Sequence, residues 1–443
     1  MNDDNKIILI ASLIAFATVF TLESVPIALP TMTAELNISP VLANWISIAG
    51  LLLCVSLELP CGKILPKYGV VKLSKIGSIV LIIGILLSVL TNNPYIIIAG
   101  RLIDGFAIGI LAISITLLVS YQIPENRLGR AFGILGVFSA VSTLLSPLLG
   151  GMLISYASWQ MLFAFPLPII LILLCLLFSF NKDWHYEKGD VNISGSVLFI
   201  ISMVLVIYGL SFLNTFDGVI SLVIGICLLI AFIYYEVKSS NPIYEFSLLK
   251  NRKYVINNYG ANIHRFAKSG ITIVLVMYLQ NVRGLSASLT GAYIAIIALM
   301  IMFFSPLSGH LSDKYDSMFL SRIGLIIMTV SSVLFCFISE LGDVAIIVLL
   351  IILGIGIGVF ESPNKKVVVS SVEPSKLGYA ASFLSTMRDS GDILGVTLFT
   401  LVIGVFSGVS AYWTICSQIT LVIITLLLVS AIVLFYYDKA VSS

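Results

Sequence analysis

Three features of the 443-residue sequence predict an all-α protein that crosses a membrane many times. Hydrophobic residues make up 59% of the chain and charged residues 10%, against roughly a quarter charged in a soluble domain. The apolar residues are gathered into long runs, and a helix rising about 1.5 Å per residue needs roughly 20 of them to cross about 30 Å of hydrocarbon. The basic residues cluster in alternate loops, which fixes an orientation.

Fourteen segments meet the length criterion: residues 7–29, 45–62, 73–90, 95–121, 128–156, 159–180, 193–213, 219–237, 254–280, 289–311, 319–338, 344–370, 378–406 and 412–437. The first is long, carries Glu23 and lacks a small-residue cleavage site, so it reads as a retained helix rather than a signal peptide. Polar stretches at 181–190 and 236–253 bracket helices 7 and 8, which hold almost no ionisable residue and are separated only by 214–218. Setting that hairpin aside leaves six helices on either side, so the expected units are 1–185, 186–240 and 241–443. An internal match supports the division. Gly62-Lys-Ile-Leu-Pro-Lys-Tyr68 after helix 2 and Gly309-His-Leu-Ser-Asp-Lys-Tyr315 after helix 10 share Gly, Lys and Tyr in register. Parallel six-helix repeats about an axis along the membrane normal are a transporter architecture.

An even number of crossings puts both termini on one side. Of the 24 Lys and Arg, Arg101, Arg265, Lys268 and Arg388 lie within spans and Arg283 lies on the far side; the other 19 fall on the side of the termini, among them Lys63, Lys67, Lys72, Lys75, Arg127, Arg130, Lys250, Arg252 and Lys253. That bias predicts cytoplasmic termini. The six cysteines (Cys54, Cys61, Cys175, Cys227, Cys336, Cys416) sit in apolar runs without the spacings of a zinc or iron–sulfur site. No metal or cofactor is expected, and a formal charge of +2 carries no message about nucleic acid.

A charge near mid-bilayer costs at least about 2.5 kcal/mol on insertion scales, so each one kept there should face a cavity or a partner. At the helical rise Arg101 lies about 9 Å and Asp104 about 14 Å below the outer boundary in helix 4, and Glu23 about 10 Å below it in helix 1. Arg101 and Asp104 are three apart, on one helix face. Helix 9 carries His264, Arg265 and Lys268; helix 13 carries Arg388, Asp389 and Asp392; Glu361 precedes Pro363 in helix 12, within reach of Lys365 and Lys366. Glu361 reads equally as a boundary ion pair, and His264, a lone histidine beside an arginine, reads more readily as a structural donor than as a titrating group. Glu58 reads as a gate or loop-docking residue. Deep carboxylates (Glu23, Glu58, Asp104, Glu361, Asp389, Asp392) outnumber deep bases six to four, which favours protons and cationic or zwitterionic ligands. The run Gly354-Ile-Gly-Ile-Gly358 lies inside an apolar helix and is better explained by close helix packing than by nucleotide binding. No P-loop, HExxH or GxSxG pattern is present, so neither ATP coupling nor an enzyme is expected.

Further residues carry a resemblance: Ala28-Leu-Pro30 closing helix 1, Trp45 opening helix 2, residues 62–69 in the first loop, Arg101 with Gly105, Pro147 with Gly150-Gly151, Ser158-Trp159 with Phe163 and Pro168, and Tyr278-Leu-Gln280 with Gly284. Together they resemble the major facilitator superfamily, and within it the fourteen-helix drug:proton antiporters of the QacA and SdrM group. The resemblance covers nearly the whole chain. It implies two six-helix bundles plus a two-helix insertion, in a monomer of the bacterial plasma membrane. The implied activity is proton-coupled multidrug efflux of amphipathic drugs by alternating access, conferring antibiotic resistance. In that fold helices 1 and 4 line the cavity, so Glu23, Arg101 and Asp104 are expected to form the proton-coupling cluster. Two carboxylates beside one guanidinium cannot both be neutralised by it, and Pro26 marks a bend nearby.

The same resemblance implies a substrate cavity of Arg265, Lys268, Glu361, Arg388, Asp389, Asp392 and His264. It implies gating loops at Glu58, Gly62, Lys67, Gly69, Gly309, Asp313 and Lys314, and a helix-5 motif at Pro147, Gly150 and Gly151. Three departures stand out: Pro66 where the family has Asp, Asp104 where it has Gln, and Ser146-Pro147 where it has Gly-Pro. Two alternatives stay open. One is a proton-coupled metabolite or anion carrier of the same fold, anchoring substrate on Arg101, Arg265 and Arg388; the other is an intramembrane enzyme or sensor.

Overall fold

A computed structural model describes residues 3–38, 40–180, 182–184, 190–213, 215–405 and 413–442. They form sixteen α-helices in order: α1 (Asp3–Glu23), α2 (Val25–Glu35), α3 (Pro40–Tyr68), α4 (Val70–Val89), α5 (Pro94–Gln122), α6 (Glu125–Tyr156), α7 (Trp159–Ala164), α8 (Leu167–Phe178), α9 (Ile193–Ser211), α10 (Phe216–Lys238), α11 (Arg252–Asn281), α12 (Ala287–Ser312), α13 (Ser317–Phe335), α14 (Asp343–Ser370), α15 (Leu377–Val405) and α16 (Trp413–Ser442). The starts are set by side-chain caps: Asn93, Asn192, Thr215, Asn251, Ser286 and Asp316 each accept from a backbone N–H two or three residues on. Gly69, at φ 99, turns the chain between α3 and α4 in a conformation that an L side chain resists.

The protein is an all-helical membrane protein, but the expected fourteen apolar spans are corrected by the structure. Twelve helical stretches among the described residues are long and apolar enough to cross a membrane. Two expected spans, the first and the sixth, are interrupted: the first breaks at Ser24, just before Pro26 at the second position of α2, and the sixth breaks between α7 and α8 at Phe165-Pro166. Proline there lacks the N–H that would continue the ladder. Two others, α11 and α15, are 30 and 29 residues long but carry His264, Arg265, Lys268, Arg388, Asp389 and Asp392, so they fall below the apolar threshold.

Polar contacts gather one set of helix ends on a single face. Asp4 at the start of α1 binds Gln122 and Arg127 at the end of α5 and start of α6; Lys63 near the end of α3 donates to the carbonyls of Asn241 and Pro242; Asn251 at the start of α11 donates to the carbonyl of Ser371 after α14. This terminal face also carries most of the basic residues. On the opposite face Arg283 pairs with Asp343 at 3.1 Å.

One buried core is built mainly from the helices before residue 180, with Leu81, Leu111, Leu117 and Phe132; another is built mainly from those after 250, with Leu275, Leu325, Leu353 and Leu428. The α9–α10 hairpin packs Phe199, Met203 and Phe232 in one cluster with Leu52, Val55 and Leu59 of α3 and Ala380 and Leu384 of α15. Its apolar sides simply have more to bury against two helices than against one.

Candidate functional site

Arg101 and Asp104, one turn apart on α5, form an ion pair at 2.8 Å with side chains 2% and 1% exposed. Gly50 on α3 leaves room for the guanidinium, since a Cβ there would stand 2.9 Å from Nη2. The pair borders a gap too narrow for water beside Thr21 and Ser24, at the break between α1 and α2. Arg101 Nε and Nη2 and Asp104 Oδ1 have no hydrogen-bond partner among the described residues. The structure does not bring Glu23 to this pair. Glu23 is enclosed by protein yet open to solvent, as the wall of a cleft is, and the charges that act on it are Lys268, Asp392 and Arg265. Depth along the membrane placed the three together; the rotation of α1 points Glu23 the other way.

The largest charged network joins α11, α14 and α15. Arg265 reaches Glu361 at 3.1 Å and Asp392 at 3.3 Å, Arg388 binds the same Glu361 oxygen, and the Ser269 hydroxyl donates to Asp392. Glu361 thus bridges two guanidiniums, and Arg388 leaves Asp389 and Asp392 to other neighbours. Asn262 on α11 donates to the Met387 carbonyl and to the Ser390 hydroxyl of α15, locking the two helices side by side. Lys365 faces Glu361, Arg388 and Asp389, while Lys366 turns away to Asp313 at 2.8 Å. Asp392 and Arg265 keep 30% and 19% exposure, so the network is in contact with the cleft. Lys268 is the cation acting most strongly on Glu23. His264 is buried and stacked on Phe360, ring centroids 4.5 Å apart.

Glu58, 1% exposed on α3, lies against Asp389 of α15, and their carboxylate oxygens and the Cys54 sulfur are within 4.8 Å of one another.

Two matched helix crossings close the terminal face. Gly309 of α12 lies on Gly129 of α6, and Gly62 of α3 lies on Gly378 of α15, each so near that an added Cβ would run into the partner's backbone. Paired glycines let helix backbones approach to this degree. At the first crossing Asp313 accepts from the N–H of Gly129 and of Arg130, both at 2.9 Å, in the opening turns of α6, where an anion is favoured. At the second, Pro66 occupies the corresponding position and its ring packs on Gly378, so the charged contact has no counterpart there. Lys67 pairs with Asp190 at 3.2 Å; Lys314 is exposed. The opening turn of α4 has its own acceptor, Asp183, which takes the N–H of Val71 and Lys72.

The sequence profile of the Major Facilitator Superfamily matches residues 9–396. The chain belongs to the major facilitator superfamily. It is 28% identical over 380 residues to the riboflavin transporter RibZ of Clostridioides difficile, covering 84% of this chain and 82% of that protein. It is 28% identical over 370 residues to the quinolone resistance protein NorB of Staphylococcus aureus, covering 80% and 78%. Among solved structures, the human organic anion transporter MFSD10 superposes with a TM-score of 0.69 at 13% identity, covering 98% of this chain and 100% of that one. A bacterial homologue of the iron transporter ferroportin, solved outward-facing, superposes with a TM-score of 0.68 at 11% identity, covering 97% and 99%. At those identities the likeness is one of fold.

In this major facilitator protein, Pro147, Gly150 and Gly151 of the helix-5 motif lie outside the residues whose side chains are described. Sequence reasoning put Lys365 within reach of Glu361 but missed its place beside Arg388 and Asp389, and missed the role of Ser269. A lysine two residues after a proline inside an apolar helix was the available signal for the first. Nothing in the sequence singles out Ser269.

Proposed function

We propose that this protein is a proton-coupled antiporter that exports amphipathic cationic or zwitterionic drugs by alternating access, within the fourteen-helix drug:proton antiporter group. The observation that carries the reading is the charged network of Glu361, Asp392, Arg265 and Arg388 on three neighbouring helices, partly open to solvent, with Glu23 of α1 among the charges near it. Charges kept at membrane depth and partly open to water suit an ion and substrate path.

In this reading α11 and α15 cross the membrane with their charges turned to the shared interior, and α1–α2 and α7–α8 are single interrupted crossings. The chain then crosses fourteen times with both ends in the cytoplasm of a bacterial plasma membrane, as the basic terminal face favours. Bundles 1–185 and 241–443 rock about the cleft, 186–240 rides with them, and the unit is a monomer. Asp313, Lys366 and the glycine crossings act as the cytoplasmic gate. Arg101 and Asp104 serve as the buried charge store of the first bundle, and Glu23 as the residue through which drug and proton compete. Resistance to a quinolone in the name of one relative supports a zwitterionic drug as cargo.

A second reading has one specific support, the riboflavin transporter among the relatives: a carrier of an aromatic metabolite, held by the guanidiniums. Everted membrane vesicles loaded by an imposed pH gradient separate the two. Accumulation of ethidium or a quinolone that collapses with the gradient is the expected result. Accumulation of riboflavin alone would overturn drug export.

A further inference from the structure

We propose that Glu58 and Asp389 share one proton across the contact between α3 and α15, and that this proton holds the terminal face closed. The two carboxyl groups belong to opposite halves of the chain and meet beyond the Gly62–Gly378 crossing, about one turn from it along α3 and about three turns along α15. Both Glu58 oxygens are buried and lack a hydrogen-bond donor among the described residues. Two ionised carboxylates cannot stay together in such a place; a carboxylic acid donating to a carboxylate can.

The neighbouring guanidiniums are committed to other carboxylates, and Lys365 is shared between Glu361 and Asp389. Glu58 faces Asp389, Arg388 and Thr386 of α15 and, on its own helix, Cys54 and Cys61. Asp389 faces Glu58, Arg265 of α11, Lys365 of α14, and Arg388 and Asp392 of its own helix. Arg388 is bound to Glu361, and Arg265 to Glu361 and Asp392. Around the cleft four cations (Arg265, Lys268, Lys365, Arg388) meet five carboxylates (Glu23, Glu58, Glu361, Asp389, Asp392). One proton brings the set to neutrality, and the pair without a committed guanidinium is where it sits.

The step is balanced. In the closed state the Glu58 O–H donates to the Asp389 carboxylate. When α3 and α15 part at the terminal face, that hydrogen bond breaks, water enters, both groups hydrate as carboxylates, and one proton leaves to the water on that face. Its place in transport rests on the antiport reading above: with the terminal face cytoplasmic, each opening delivers a proton inward, the direction that export requires.

The test uses the full-length protein in nanodiscs, without drug or gradient, spin-labelled at Tyr68 and Ser375 on the two sides of the crossing. The exposed Cys175 and Cys227 and the half-buried Cys336 are replaced by serine, and the buried cysteines are left. Distances between the labels are measured from acid to alkaline pH. The open-to-closed ratio of the parent protein is expected to rise with pH, by up to about tenfold per unit for one proton released. Glu58→Gln and Asp389→Asn, each made singly, put an amide donor where the proton was, and each is expected to stay closed across the range. A parent protein whose distances ignore pH, or variants that both open with pH as the parent does, would overturn the shared proton. A flat response would leave vesicle drug export untouched, and a failure of drug export would leave the distance response untouched.

Discussion

Replacing Arg101 by alanine removes the only cation that pairs, among the described residues, with Asp104, whose side chain is 1% exposed, and empties the guanidinium's place against Gly50. Breaking a buried ion pair from one side costs about 3–5 kcal/mol, because the remaining charge has neither water nor a partner. At about 2 °C per kcal/mol for a unit of roughly 200 residues, the melting temperature in detergent should fall by roughly 6–10 °C. Arg101→Leu combined with Asp104→Leu removes both charges and keeps apolar volume, so most of the loss should return. Thermal unfolding followed by intrinsic fluorescence reads both variants, and drug export in vesicles reads them again. Transport should be lost in Arg101→Ala and should not return in the apolar double variant, since a stable fold without the charge pair cannot take part in coupling. An Arg101→Ala protein that melts with the parent, or a double variant that melts as low as the single one, would refute the reasoning.

Other expectations can be checked alongside. Asp392→Asn leaves Arg265 with Glu361 as its remaining carboxylate, and should reduce export of cationic drugs several-fold more than that of neutral ones; equal losses measured in one vesicle preparation would point to general damage. Gly378→Val places its Cβ 2.7 Å or less from Pro66 and the Gly62 backbone, so the terminal face should fail to close, with a longer label distance at every pH and export near background. Asp190→Cys should react with an impermeant maleimide only in inverted membranes and Phe216→Cys only in intact cells; the opposite pattern reverses the orientation.

The ion pair on α5 was legible in the sequence because a spacing of three residues fixes two side chains to one helix face whatever the helix packs against. Apolar runs located the helices for the same local reason. What the sequence did not fix was rotation and register between helices. Glu23 shares its depth with Arg101, yet a helix as uniformly apolar as α1 carries no stripe to say which way residue 23 points. Glu58 and Asp389 are 331 positions apart, and only the crossing of Gly62 on Gly378 sets them against each other. The repeat of Gly62 and Gly309 marked equivalent positions in the two halves, and the structure shows each at a helix crossing, with partners on α15 and α6 that the repeat does not name. Hydropathy in turn discounts α11 and α15, because a window average cannot tell charges facing an interior cleft from charges facing water.

The central claim is obligatory exchange of drug for proton, and simultaneous flux of both in proteoliposomes of defined orientation tests it most directly. With the pH gradient imposed in either sense, drug and proton are predicted to move in opposite directions, to reverse together when the gradient is reversed, and both to stop in Asp392→Asn. Drug and proton moving in the same direction, or drug flux indifferent to the sign of the gradient, would contradict it.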